Sequence, residues 1–176
     1  MIFKKVNVSE VLTSISNEED VPYLRSKLLD VNIRLYENDL DYRQLVEEAI
    51  ELIAWRLTSE YEDYSNPLGM SGANCGIPWN IIAFINEKNG AQIMINPVIV
   101  SHTGLKTVTS NCGSLRLNEK ISINRYEAVT VKYYCELRKR YVLKTYAGKI
   151  ASTIQHEIDH NNGILIIDRE ASKDTA

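Results

Sequence analysis

His156 and His160 stand four residues apart in Gln155-His156-Glu157-Ile158-Asp159-His160, with an acid directly after the first histidine. On a helix, positions i and i+4 share a face about one turn apart, so the two imidazoles can close on one ion from the same side. The Glu157 carboxylate then lies where it can take a proton from water activated by that ion. The chemistry implied is metal-assisted hydrolysis. The chain has three histidines, and two of them are in this pentad.

Two imidazoles leave such a site incomplete, because a catalytic zinc-type centre usually takes three protein ligands and keeps one position for water. Downstream of His160 the chain offers Asp168 and Glu170 but no further histidine. Upstream, His102 reads as a surface imidazole near a strand end. Cys112, in Ser110-Asn111-Cys112-Gly113-Ser114, has two readings: a small buried hydrophobe, or a thiolate ligand for zinc or ferrous iron at the end of a strand.

These residues need elements to hold them. Leu45, Val46, Ala49, Ile53 and Leu57 recur at helical spacing, which predicts a helix from Asp39 to Asp63 with Asn38 or Asp39 as its N-cap. Asn66-Pro67 ends it and opens a loop of small residues, Gly69 to Gly76. Strands are predicted over Asn80–Asn86 and Ala91–Asn96, joined through an Asn-Gly pair, and over Val98–Ser101 and Leu105–Ser110, which could pair with each other. Ala128–Cys135 and Arg140–Tyr146 form a further hairpin. The histidine helix spans Lys149 to His160 and stops at Asn161-Asn162-Gly163. Ile164–Asp168 reads as a last short strand. Strands segregated between two helices indicate an α+β fold, with antiparallel β-sheets around a central metal-binding helix. One domain over 1–169 and a flexible tail over 170–176 are expected.

With 176 residues, 44% of them hydrophobic and 24% charged, the chain is long enough for a sizeable core. A net charge of −3 argues against nucleic-acid binding through bulk electrostatics. No apolar run approaches the ~20 residues of a membrane span, and the N-terminus lacks the features of a signal peptide. Cys75, Cys112 and Cys135 read as reduced thiols, consistent with the cytoplasm.

The pentad, followed by Asn162-Gly163 and Ile167-Asp168-Arg169, closely resembles the third signature of peptide deformylases. Asn124-Arg125-Tyr126-Glu127-Ala128-Val129-Thr130-Val131, Ile95-Asn96-Pro97 and Pro22-Tyr23-Leu24-Arg25 are similar to further segments of that family, in the same order. Two motifs depart from it. The family's Glu-Gly-Cys-Leu-Ser reads Ser110-Asn111-Cys112-Gly113-Ser114 here, so the acid expected to pair with Arg125 is missing and Arg125 needs another partner. The family's Gly-x-Gly-x-Ala-Ala-x-Gln aligns with Pro67 to Asn74, keeping Gly69 and shortening the glutamine to Asn74.

The resemblance implies removal of the N-formyl group from the initiator methionine of nascent polypeptides. Cys112, His156 and His160 would hold one divalent metal, ferrous iron in the cell and zinc or nickel in a purified sample. Glu157 would act as general base and then acid. Asn74 and the Gly113 backbone N–H would stabilise the oxyanion, and Gly69 and Gly113 would hold the extended substrate. In the family, apolar side chains one turn before the histidines line the methionine pocket; the matching positions here are Lys149, Ser152 and Thr153, which implies a more polar pocket. The expected partner is an N-formylated peptide or nascent chain. The basic cluster Arg138-Lys139-Arg140 reads as a solvated hairpin tip that could touch the ribosome. Two other readings stay open on sequence: a metalloprotease or deacylase with the same machinery, and a deformylase-like binding module that does not catalyse.

Overall fold

The computed structural model describes residues 21–59, 68–86, 90–112 and 117–171. Two short helices, α1 (Val21–Leu24) and α2 (Ile33–Asn38), precede the long helix α3 (Leu40–Ser59). Asp39 caps α3 by accepting from the Tyr42 N–H at 2.9 Å. Val46, Ala49, Ile53 and Leu57 form its buried stripe, as the spacing predicted, and Ile50 joins them. Leu45 does not belong to that stripe: it sits one residue, about 100°, off it and is exposed. Residues 60–63, the expected end of this helix, lie outside the described residues.

Five strands follow: β1 (Leu68–Ser71), β2 (Ile81–Asn86), β3 (Gly90–Cys112), β4 (Leu117–Cys135) and β5 (Arg140–Ala147). They make one antiparallel sheet in the order β1-β2-β3-β4-β5. The α+β class therefore holds, with a single sheet among the described residues where sheets had been expected. The 14-residue helix α4 (Gly148–Asn161) then packs against it. Both hairpins predicted from the sequence are present, with Ile85 opposite Ala91 and Cys135 opposite Arg140.

Three local expectations fail for physical reasons. Val98–Ser101 and Leu105–Ser110 do not pair with each other; both belong to β3 and pair with β4, Val98 opposite Lys132 and Leu105 opposite Tyr126. The chain bends through bulges near Asn96 and Val100 instead of folding back. Asn96 takes φ 53°, and its side chain closes a two-bond ring with the Val31 backbone at 2.8 Å each way. The expected loop Gly69–Gly76 is β1 followed by a 3-10 turn (Ala73–Cys75), because pairing with β2 overrides its loop-like composition. The expected strand Ile164–Asp168 is a 3-10 turn (Ile166–Arg169), in which Asp168 accepts from the Leu165 N–H at 2.7 Å. Glu170 and Ala171, read as the start of a loose tail, bridge to Ile123 and Ser122 of β4.

β2 shows why the sheet lies between two helices. Its run Ile81-Ile82-Ala83-Phe84-Ile85 is apolar at every position, as a strand buried on both faces requires. Ile81, Ala83 and Ile85 face Val46, Ile50, Ile53 and Leu57 of α3. Ile82 and Phe84 face Ala151, Ile154 and Ile158 of α4, together with Met94, Val129 and Val131. A third, smaller cluster joins Leu24, Cys112, Ile123, Leu165 and Ile166. No helix among the described residues is long and apolar enough to cross a membrane.

Candidate metal centre and active site

Helix α4 is fixed by polar ties to β4, to the start of β2 and to the two 3-10 turns. Gln155 reads the Tyr126 backbone like an added strand residue, accepting from its N–H and donating to its carbonyl, each at 2.9 Å. Asp159 receives Arg125 of β4 and Arg169 of the last 3-10 turn. Asn161 donates to Asn80 and to the Ile81 carbonyl, and accepts from the Ala73 N–H. That last contact ties the turn carrying Asn74 to the end of the histidine helix. Gln155, Asp159 and Asn161 were not singled out from the sequence as positioning residues. The polar character of helix positions facing a sheet was the available signal.

With α4 held, His156 and His160 turn towards the end of β3. Cys112 Sγ lies 3.3 Å from His160 Nε2, and His160 Nε2 lies 3.0 Å from His156 Nε2. One ligand atom from each of the three residues falls within 4.8 Å of the others. Zn–N near 2.0 Å and Zn–S near 2.3 Å place tetrahedral donor atoms roughly 3.3–3.7 Å apart, so this group fits a single ion of that size. The donor set, one sulfur and two imidazole nitrogens, suits zinc or ferrous iron. His160 and Cys112 are buried and His156 half-buried.

Burial holds the His160 imidazole down, to about 4, with Asp159 pulling it up and Arg125 pushing it down. Burial, then the charges of His160 and Arg125, hold His156 well below its usual value. Both rings are thus neutral near pH 7, the form that binds metal. His160 Nδ1, on the ring edge away from the cluster, is buried without a hydrogen-bond partner among the described residues.

Glu157 is buried with its carboxylate against β1. A Cβ added to Gly69 would come within 2.6 Å of Glu157 Cγ and Oε1 and 2.8 Å of Thr153 Cγ2. Only a residue without a side chain lets the strand approach the acid this closely. Burial pushes Glu157 up to about 8, Arg125 pulling it down and Asp159 pushing it further up. Its Oε2 has no hydrogen-bond partner among the described residues. Asn74 is also buried; its Oδ1 accepts from Ser71 Oγ, leaving Nδ2 as a donor without a partner among the described residues.

Gly113 lies outside the described residues. Lys149 is exposed at the start of α4, while Ser152 and Thr153 are half-buried one turn before the histidines. Arg125, which lacks the acid expected at position 110, is paired by Asp159 instead. His102 is exposed and stacks on Tyr126 with ring centroids 3.6 Å apart. Cys75 and Cys135 are reduced thiols, as expected.

This arrangement has counterparts. The profile of the polypeptide deformylase family matches residues 26–176. The peptide deformylase of Macrococcus caseolyticus is 30% identical over 164 residues, 84% of each chain. The crystal structure of the Thermotoga maritima peptide deformylase superposes with a TM-score of 0.71 at 25% identity, covering 91% of this chain and 96% of that one. The Thermus thermophilus enzyme gives 0.66 at 25% identity, covering 86% and 82%. Extending over most of the sequence and all of the sheet, these matches place the chain in the peptide deformylase family.

Proposed function

We infer that this chain is a peptide deformylase, an amide hydrolase that releases formate from N-formylated peptides. One observation carries the reading beyond family membership: a thiol from the end of β3 meets two imidazoles of α4 beside a buried acid. Cys112, His156 and His160 would hold the divalent metal. When bound, such an ion lowers the pKa of water and polarises the formyl carbonyl. Glu157 accepts the proton of the attacking water at its unpartnered oxygen and passes it to the leaving amine. A burial-raised acid near neutrality suits both halves of that transfer. Asn74 Nδ2 and the Gly113 N–H donate to the oxyanion. The backbone of β1 at Gly69 aligns the peptide, and Gly113 is assigned the same role.

We assign ferrous iron as the metal in the cell, with zinc or nickel able to replace it, on the resemblance to the family; the sulfur-nitrogen donor set suits zinc and ferrous iron alike. We place the enzyme in the cytoplasm, acting on nascent chains with the Arg138-Lys139-Arg140 tip free to meet the ribosome, and read 1–169 as one catalytic domain. Ser152 and Thr153 put hydroxyls where an apolar first side chain would pack, so the preference for formyl-methionine is weaker than in relatives with apolar residues there. Comparing kcat/KM for formyl-methionyl and formyl-seryl peptides tests this, and a methionine preference of about 10³ or more would overturn it.

The central experiment is formate release from a formyl-methionyl peptide by anaerobically prepared protein, with metal content measured on the same sample. Glu157→Ala retains the metal and loses about 10²–10⁴ in kcat. Metal-loaded wild-type protein releasing no formate would overturn the reading.

A further inference from the structure

Asn74 can donate to an oxyanion through only one end of its amide, and a flip of that amide would present the acceptor end instead. Its neighbours set which end is free. Residues directly opposite in an antiparallel pair share a face of the sheet. Gly69 and Ser71 stand opposite Phe84 and Ile82, which face α4. Ser71 therefore lies on the α4 side of the sheet, next along that face from the glycine against which Glu157 packs.

Ser71 Oγ accepts from the Asn74 backbone N–H at 3.3 Å and donates to Asn74 Oδ1. A hydroxyl has one proton, and at 0% exposure Ser71 needs an acceptor for it within the protein. Of the two ends of the amide, only the oxygen can serve. The turn that carries the amide is held as well. Arg56 of α3 donates to the Asn74 carbonyl at 3.1 Å, and Asn161 of α4 takes the Ala73 N–H at 3.2 Å. Nδ2 is left buried, with no hydrogen-bond partner among the described residues. Ser71 falls on the first alanine of the family's Gly-x-Gly-x-Ala-Ala-x-Gln, so the hydroxyl and the shortened amide depart from that motif together.

We propose that Ser71 is a positioning residue for the reaction: its hydroxyl turns the Asn74 amide so that Nδ2, and not Oδ1, is the end free to donate to the oxyanion. This role rests on the deformylase reading given above and extends it to the residue behind Asn74. A flipped amide would set a carbonyl oxygen against the developing negative charge, removing a donor and adding a repulsion.

The test is steady-state formate release by metal-loaded wild type, Ser71→Ala, Asn74→Ala and the double variant. Loss of an oxyanion donor lowers kcat by about 10²–10³, the fall expected for Asn74→Ala. Ser71→Ala should lose roughly 10- to 10²-fold in kcat, with KM and metal content within about twofold of wild type. In the Asn74→Ala background the same change should cost nothing more, because no amide remains to be turned. A hydroxyl that only supported the fold of β1 would instead lower kcat equally in both backgrounds. The orientation is also read without turnover, from the NMR signals of the Asn74 side-chain amide in zinc-loaded protein, assigned by their loss in Asn74→Ala. One sharp pair is expected in the wild type, doubled or broadened in Ser71→Ala. Wild-type kcat in Ser71→Ala, or equal losses in the two backgrounds, overturns the proposal. A wild type that released no formate would bring down the deformylase reading, and unchanged amide signals in Ser71→Ala would then overturn the orienting role separately. Should Ser71→Ala not fold, Ser71→Cys offers a weak donor of similar size, and wild-type kcat in that variant overturns the proposal.

Discussion

Replacing Asp159 with asparagine keeps the shape of the side chain and removes the carboxylate that Arg125 and Arg169 share. Its two cationic partners respond differently. The Arg169 side chain is 42% exposed and returns to water, so its share of the loss is at most about 1 kcal/mol. The Arg125 side chain is 3% exposed and cannot. Leaving one member of a buried ion pair uncompensated costs about 3–5 kcal/mol, and the asparagine oxygen can still accept one hydrogen bond, so the lower end applies. About 3 kcal/mol is a large part of the 5–15 kcal/mol that stabilises an ordinary domain. Urea unfolding of the metal-free protein, with the slope m unchanged, should show a midpoint lower by roughly 1–2 M. Adding Arg125→Met to Asp159→Asn removes the stranded charge, and the double variant should recover about 2 kcal/mol. A loss below about 1 kcal/mol in Asp159→Asn, or a double variant less stable than the sum of the singles, would refute the dependence of the buried Arg125 charge on Asp159.

Gly69→Ala places a methyl group inside the van der Waals envelope of Glu157 and Thr153. Metal content should be unchanged while kcat falls about 10²-fold, since a displacement of about 1 Å at the acid is enough; wild-type kcat would contradict the close approach. The metal-free protein should weaken in acid. His160 has a folded value near 4 against about 6.5 unfolded, so the unfolded chain binds the proton first. Stability is present above pH 6.5 and is lost as pH falls through 4, by about 3 kcal/mol for this residue alone. A Tm series from pH 7.5 to 4.5 should show the loss, flattened in His160→Gln; parallel curves for the two proteins would count against it.

The sequence made the histidine helix readable because pentad and periodicity agree: α4 runs one residue beyond each end of the expected span. Cys112 was a candidate ligand on sequence, but only the resemblance could favour that reading over a buried hydrophobe, since a lone thiol 44 positions before His156 has no local periodicity to mark it. What brings it in is long-range pairing of β3 with β4, which spacing does not encode. The same blindness explains why two segments of β3 looked like partners of each other: a bulged strand of 23 residues carries the turn-like punctuation of two short ones. β1 was hidden for a related reason. Its glycine is there because an acid on another element needs the space, and composition cannot distinguish that from a loop. The replacement partner of Arg125 was also out of reach, because Asp159 reads in sequence as an ordinary polar position of the pentad.

That thiol has a consequence for how the molecule matures. Two of the three donor atoms arrive on a single helical turn, and the third arrives only when the far end of a long, bent ribbon has zipped into register. An unfolded or half-paired chain therefore presents a two-toothed grip, too weak to keep an ion against cellular chelators. Tight capture begins with the last stage of assembly, so loading doubles as an inspection: a molecule that retains its ion is one whose ribbon has closed correctly.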